Sequence, residues 1–107
     1  MFYVYMLRCA DQSYYVGHTD NIDIRLAAHN SGSIRGYTAN RRPVQIVWCE
    51  TFGTRDEAFI CERRIKGWSR AKKEALIRED WAGLQVLSRN RTESVSSGLA
   101  RPSTGSG

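Results

Sequence analysis

Residues 2–9, FYVYMLRC, and residues 14–19, YYVGHT, decide how this chain is read. In the first stretch Tyr3, Tyr5 and Leu7 alternate with Val4, Met6 and Arg8. That is the two-residue period of a strand, and the aromatic and β-branched content suits a pleated surface. Ala10–Ser13 reads as a tight turn, so the second stretch returns as the other arm of a hairpin. Gly17 removes a side chain from that arm at a point where another group approaches closely. As ordinary strand aromatics, Tyr3, Tyr5 and Tyr15 would pack against helices. Paired on adjacent strands, Tyr5 and Tyr15 would also bring two phenols to one side of the sheet.

Working outward, Asp20 is a suitable N-cap for a helix from about Asn21 to Asn30 that stops at Ser31-Gly32. Residues 33–43 form a basic loop closed by Pro43, and VQIVWCE at 44–50 is the third strand. Thr54 and Glu57 have capping-box spacing and open a helix that Gly67 ends. Ser69 caps another through about Glu79, and Trp81, Leu84 and Leu87 are expected to fold back onto the core. The order strand, strand, helix, strand, helix, helix predicts an α+β fold: a small three-stranded antiparallel sheet flanked by helices.

With 107 residues, 41% of them hydrophobic, the chain has material for one domain with one modest core. It is too small to enclose a large nucleotide cofactor as well. From Ser88 onward the sequence is rich in serine and glycine and poor in large aliphatics, so we expect a working domain over 1–87 and a disordered, basic tail over 88–107. The longest apolar runs are far short of the roughly 18–20 residues that cross a bilayer, and no leader pattern opens the chain. Cys9, Cys49 and Cys61 are odd in number and widely spaced, a poor disulfide framework that points to the cytoplasm. With His18 and His29 they do not make zinc-finger spacing.

The net charge is +5, and Arg63, Arg64, Lys66, Arg70, Lys72 and Lys73 fall in one stretch without an acid. Such a run is either a solvated helix face or a contact surface for a polyanion such as nucleic acid. At 100° per residue, Glu62 falls inside the apolar arc of Ala58, Ile65 and Cys61. A carboxylate there must meet a cation, bind a metal or open into a cleft, unless it swings out to an i,i+4 pair with Lys66. Arg25 and His29, also four apart, project from one side of the first helix. There is no GxxxxGK[ST] phosphate loop, no GxSxG elbow and no paired acids for a two-metal cluster. Phenol, guanidinium, imidazole and one carboxylate remain, a set suited to phosphodiester hydrolysis with one hard cation.

The same residues carry a family resemblance. YVY at 3–5, YVG at 15–17 and HTDNIDIRLAAHNSG at 18–32 resemble the GIY-YIG nuclease signature. Tyr37-Thr38, RRPVQIVWCE and EAFICERRIKGWSRAKKEALI are similar to the small stand-alone GIY-YIG proteins of bacteria. The resemblance covers about residues 2–79. It implies Tyr5 and Tyr15 as the tyrosines of the two half-motifs, Arg25 as the phosphate-stabilising arginine and Glu62 as the ligand of one divalent metal, Mg²⁺ or Mn²⁺. It also implies DNA cleavage with Tyr5 or His29 handling the proton and Tyr15 positioning water or phosphate. Tyr3 stands where the family's first glycine falls, and His18 where some excision-repair relatives carry lysine. His18 joins the six cations of 63–73 as the expected nucleic-acid contacts. With no specificity domain in view, the expected substrate is branched, single-stranded or otherwise structured DNA, with RNA left open. Repair, recombination, uptake and mobile-element processing are all compatible with it. The competing reading is a nucleic-acid-binding module of the same fold without catalysis; a protein-interaction adaptor is the third.

Overall fold

A computed structural model describes residues 1–89. Three strands form an antiparallel sheet in the order β2-β1-β3: β1 (Phe2–Arg8), β2 (Tyr14–Thr19) and β3 (Gln45–Phe52). Helix α1 (Ile22–Ser31) lies between β2 and β3 in the chain; α2 (Arg55–Lys66), α3 (Arg70–Ile77) and α4 (Trp81–Arg89) follow β3. The α+β architecture is the expected one. Chain packing groups the residues into two compact units, Met1–Lys66 and a second from Gly67 onward.

In the first unit β1 is the middle strand, and its alternation assigns the two faces. Tyr5, Leu7 and Cys9 pack with Val44 on one face, joined by Tyr15 from β2, Ile22 and Leu26 from α1 and Ile46 from β3. Val4, Met6 and Val16 are buried on the other, and α2 packs against β1 and β2 with Ala58, Cys61, Glu62 and Ile65 turned inward. The pairing of β3 shifts between Met6 and Leu7: Met6 faces Trp48 whereas Leu7 faces Ile46. The extra residue in β3 is a bulge that resets the alternation. It thereby turns Ile46 to the Leu7 face.

Helix boundaries follow the capping chemistry, with one difference from expectation. The cap of α1 is Asn21, not Asp20: its side chain accepts from the Ile24 amide at 3.0 Å, while Thr19 Oγ1 accepts the Asn21 amide at 3.1 Å. The helix ends at Gly32, whose φ of 83° needs a residue without Cβ. Thr54 and Ser69 cap α2 and α3 as their spacing implies.

In the second unit α3 and α4 pack on each other, with Ala75, Leu76 and Leu84 buried. Residues 81–89, expected only to fold back onto the core, form a helix whose start Asp80 supplies by accepting the Gly83 amide at 2.9 Å. Leu84 is buried as expected, but Trp81 is exposed. The helix continues through Ser88 and Arg89; the rest of the expected tail, residues 90–107, lies outside the described residues. None of the described helices is long and apolar enough to cross a membrane.

A side chain closes the long connection between α1 and β3. The Asn30 amide donates to the Val44 carbonyl at 3.0 Å and accepts the Val44 amide at 2.7 Å, standing in for one rung of a strand. Asn30→Ala removes both bonds at once. We expect it to lower unfolding stability by about 1–3 kcal/mol, measured by urea denaturation.

Candidate active site

The hairpin register fixes which aromatic groups meet. Tyr5 pairs with Gly17 and Leu7 with Tyr15, so Tyr5 and Tyr15 sit diagonally on one face with ring centroids 6.4 Å apart. The two phenols are therefore together, as the strand pattern implied. Gly17 makes room for the first of them. A Cβ there would stand 2.6 Å from the Tyr5 hydroxyl oxygen and 2.8 Å from its Cζ, closer than any relaxed contact.

Helix α1 brings His29 onto the same face. Its ring is 1% exposed and Tyr5 is 2% exposed. Tyr5 Oη lies 3.0 Å from His29 Nε2, and His29 Nδ1 lies 2.8 Å from Thr38 Oγ1 in the loop that follows. Tyr15 packs edge-on against His29 at 5.2 Å and stacks on Tyr37 at 6.1 Å. Arg25, one turn before His29, is exposed at the rim, so the i,i+4 pair divides: the imidazole is inside and the guanidinium outside.

These surroundings decide protonation. Burial, then the nearby Tyr15, pushes the Tyr5 phenol far above its ordinary value; Arg25 opposes this and Glu62 adds to it. Burial lowers the His29 pKa and the charge of Arg25 lowers it further. Both groups are consequently neutral at pH 7.

Glu62 reaches the edge of the sheet from the opposite face. His18 follows Gly17 in β2, so its side chain points towards α2, where Nδ1 hydrogen-bonds Glu62 Oε1. Lys66 Nζ holds Glu62 Oε2 at 2.8 Å and lies 6.0 Å from the Tyr15 ring centroid. The buried carboxylate and the i,i+4 pair, posed as alternatives by the sequence, are both present. The Glu62 side chain is 9% exposed, with the His18 imidazole on one oxygen and the Lys66 ammonium on the other. The chemical groups thus wrap around the free edge of β2.

A hard divalent cation accepts one or two protein carboxylates and completes its shell with water and phosphate oxygens. Glu62 fits as such a single ligand, in competition with His18 and Lys66. Among the described residues, no group of three or more His, Cys, Asp or Glu is arranged to hold a metal ion.

The basic stretch is divided between two helices. Arg63, Arg64 and Lys66 belong to α2 in the first unit, Arg70, Lys72 and Lys73 to α3 in the second. Lys72 departs from the expectation of an exposed contact: it is 1% exposed, with Nζ 4.7 Å from the Trp68 ring centroid. A short amphipathic helix spends one lysine stem on its apolar side. Arg70 pairs with Glu74 at 3.0 Å, and burial together with Arg70 draws the Lys73 pKa down. Tyr37 and Thr38 were given no role from the sequence. They lie in a loop, where neither helical nor strand periodicity reports which way a side chain faces.

Residues 1–75 match the family of the GIY-YIG catalytic domain. The chain belongs to that family. It is similar to a UPF0213 protein of Bacillus pumilus, 47% identical over 77 residues that cover 72% of this chain and 79% of that one. A UPF0213 protein of Natronomonas pharaonis is 44% identical over 78 residues, covering 73% and 92%. A UPF0213 protein of Bacillus halodurans, solved by solution NMR, is 34% identical with a TM-score of 0.49 and covers 89% of this chain and 100% of its own.

Two outcomes are expected. Gly17→Ala should displace the Tyr5 hydroxyl and abolish its bond to His29, seen as a large shift of the His29 ring resonances in NMR spectra. Stability should also fall at both ends of a pH plateau. The unfolded chain takes up the His29 proton at about pH 6.5 whereas the fold resists it, so stability is lost as pH falls below that value. It releases the Tyr5 proton at about pH 10 whereas the fold retains it, so stability is lost as pH rises above that. In urea titrations across pH, His29→Gln should flatten the acid limb and Tyr5→Phe the alkaline one.

Proposed function

We propose that this protein is a metal-dependent endonuclease that hydrolyses DNA phosphodiester bonds, structure-selective or weakly specific for sequence. The observation that carries the reading is the buried Tyr5–His29 hydrogen bond of 3.0 Å, with the Arg25 guanidinium beside it at the surface. Besides packing in the core, a neutral imidazole bonded to a phenol that keeps its proton is a pair able to pass a proton along one hydrogen bond. Membership of a family of catalytic domains supports the same direction.

In this reading Arg25 binds the scissile phosphate and opposes the charge that develops on it. Tyr5 cannot act as a standing phenolate, because burial keeps its proton on. It takes the proton of the attacking water only as its own proton passes to His29 Nε2. The Arg25 charge that depresses the imidazole pKa then favours return of that proton through the Tyr5 hydroxyl as the product leaves. Tyr15, whose ring is held between His29 and Tyr37, orients water or phosphate through its hydroxyl. Glu62 would hold the divalent cation, Mg²⁺ or Mn²⁺, which when bound would supply Lewis acidity beside the scissile phosphate.

His18, Arg63, Arg64, Lys66, Arg70 and Lys73 are the proposed contacts to nucleic acid; Lys72, being buried, leaves that set. The substrate is branched or single-stranded DNA, and the working domain, in the cytoplasm, runs through the end of α4 at Arg89, two residues past the boundary at 87 expected from the sequence.

Supercoiled plasmid, duplex, flap and four-way-junction DNA, each with Mg²⁺, Mn²⁺ or EDTA, test the reading. Wild type should cut only with metal, and Glu62→Gln should abolish the cuts. Arg25→Ala should lower kcat/KM by about 10²–10³ and change DNA affinity far less, since its charge matters most in the transition state. Folded wild type that binds DNA and never cuts would make the protein a binding module.

A further inference from the structure

Two residues of the 33–43 loop press on the proton-handling pair. Tyr37 stacks on Tyr15 with 23° between their planes, and Thr38, itself 1% exposed, puts Oγ1 2.8 Å from His29 Nδ1. The loop is tied down at this point. Thr38 O accepts the Arg41 amide at 3.0 Å, and Arg41 Nη1 donates to Tyr37 O at 2.7 Å. The Arg41 guanidinium lies 4.0 Å from the Tyr37 ring centroid and its Nε bonds Asp11 at 2.9 Å. Such bracing delivers one buried hydroxyl to one imidazole nitrogen.

Distances alone leave two directions for the chain Tyr5–His29–Thr38. Either Tyr5 donates to Nε2 and Nδ1–H donates to Thr38, or Thr38 donates to Nδ1 and Nε2–H donates to Tyr5. Chemistry chooses between them. A phenol is a far stronger donor than an aliphatic alcohol, and a bare imidazole nitrogen is a far stronger acceptor than a phenol oxygen. The first direction pairs the best donor with the best acceptor and leaves the threonine oxygen to accept from N–H, which it does well. The hydrogen bond at one ring nitrogen sets the state of the other.

We propose that Thr38 is a positioning residue that fixes His29 as the Nδ1–H tautomer, so that Nε2 presents a lone pair to the Tyr5 hydroxyl. This deepens the reading of Tyr5 and His29 as the proton-handling pair and rests on it. With the tautomer reversed, Nε2 would already carry hydrogen and the Tyr5 proton would have nowhere to go. Thr38 touches neither the phosphate nor the water in this scheme; it acts through the ring.

The test is two-bond ¹H–¹⁵N correlation of the imidazoles in the ¹⁵N-labelled full chain near neutral pH, with His18→Gln to assign the second ring. His29 should show a protonated Nδ1 and a bare Nε2. Thr38→Val, which keeps the shape and loses the hydroxyl, should move the proton to Nε2; Thr38→Ser should keep the wild-type pattern. On flap DNA with Mn²⁺, Thr38→Val should lower kcat about tenfold or more with KM little changed, and Thr38→Ser should restore it. A wild-type His29 carrying its proton on Nε2, or a Thr38→Val spectrum with the tautomer unchanged, overturns the proposal. Should the valine variant fail to fold, Thr38→Ala, which also loses the hydroxyl, is read in its place with the same two outcomes. If the tautomer behaves as stated and wild type cuts no DNA at all, the nuclease reading falls while the assignment to Thr38 stands.

Discussion

The Tyr5 side chain can occupy the centre of the sheet only because β2 has no side chain at Gly17. The clearance there is below 3 Å, and the consequences spread outward. A phenol laid across the neighbouring strand is withdrawn from water, and its hydroxyl is aimed at α1, not at solvent. His29 can then meet it from the inward side of that helix, while Arg25 one turn earlier stays at the rim. Shape at one glycine thus sets both the burial that governs protonation of the pair and the place where a phosphate would meet a cation.

The arrangement around β2 divides the chemistry between two faces. Phenol and imidazole lie on the face covered by α1; the carboxylate arrives from α2 on the other side, held by His18 and Lys66. Alternation along β2 does this with few residues, since Gly17 and His18 are adjacent and point opposite ways. An edge strand normally exposes unpaired backbone groups. Here that edge is also the line around which the candidate site is arranged, and Lys66 touches both halves, with one contact to Glu62 and another to the Tyr15 ring.

Most of the fold was legible in the sequence because its signals are local. Alternation in FYVYMLRC, the cap residues Thr54 and Ser69 and the stop at Gly32 each act within a few residues. Gly17 was read as a point of close approach, and its partner proved to be Tyr5. The helical wheel placed Glu62 inward, yet it could not show that His18 would cross from β2 to meet it, since that contact spans 44 residues. The bulge in β3, the Asn30 rung and the Thr38 contact were invisible for the same reason: each depends on where distant backbone lies. Lys72 illustrates a different limit. A run of cations reads as uniformly exposed until the packed side of its helix is known.

Because β1 precedes both of its neighbours in the chain and lies between them in the sheet, those neighbours become available at very different times during synthesis. At roughly 5–20 residues per second, β2 follows within about a second or two, whereas β3 waits for the α1 segment and the long loop. The Tyr5–His29–Thr38 chain is complete once Thr38 has been made, while the sheet beside it waits for Phe52. Until then the open side of β1 is an unpaired template, and the Asn30 clasp can form only once Val44, at the threshold of β3, has been made.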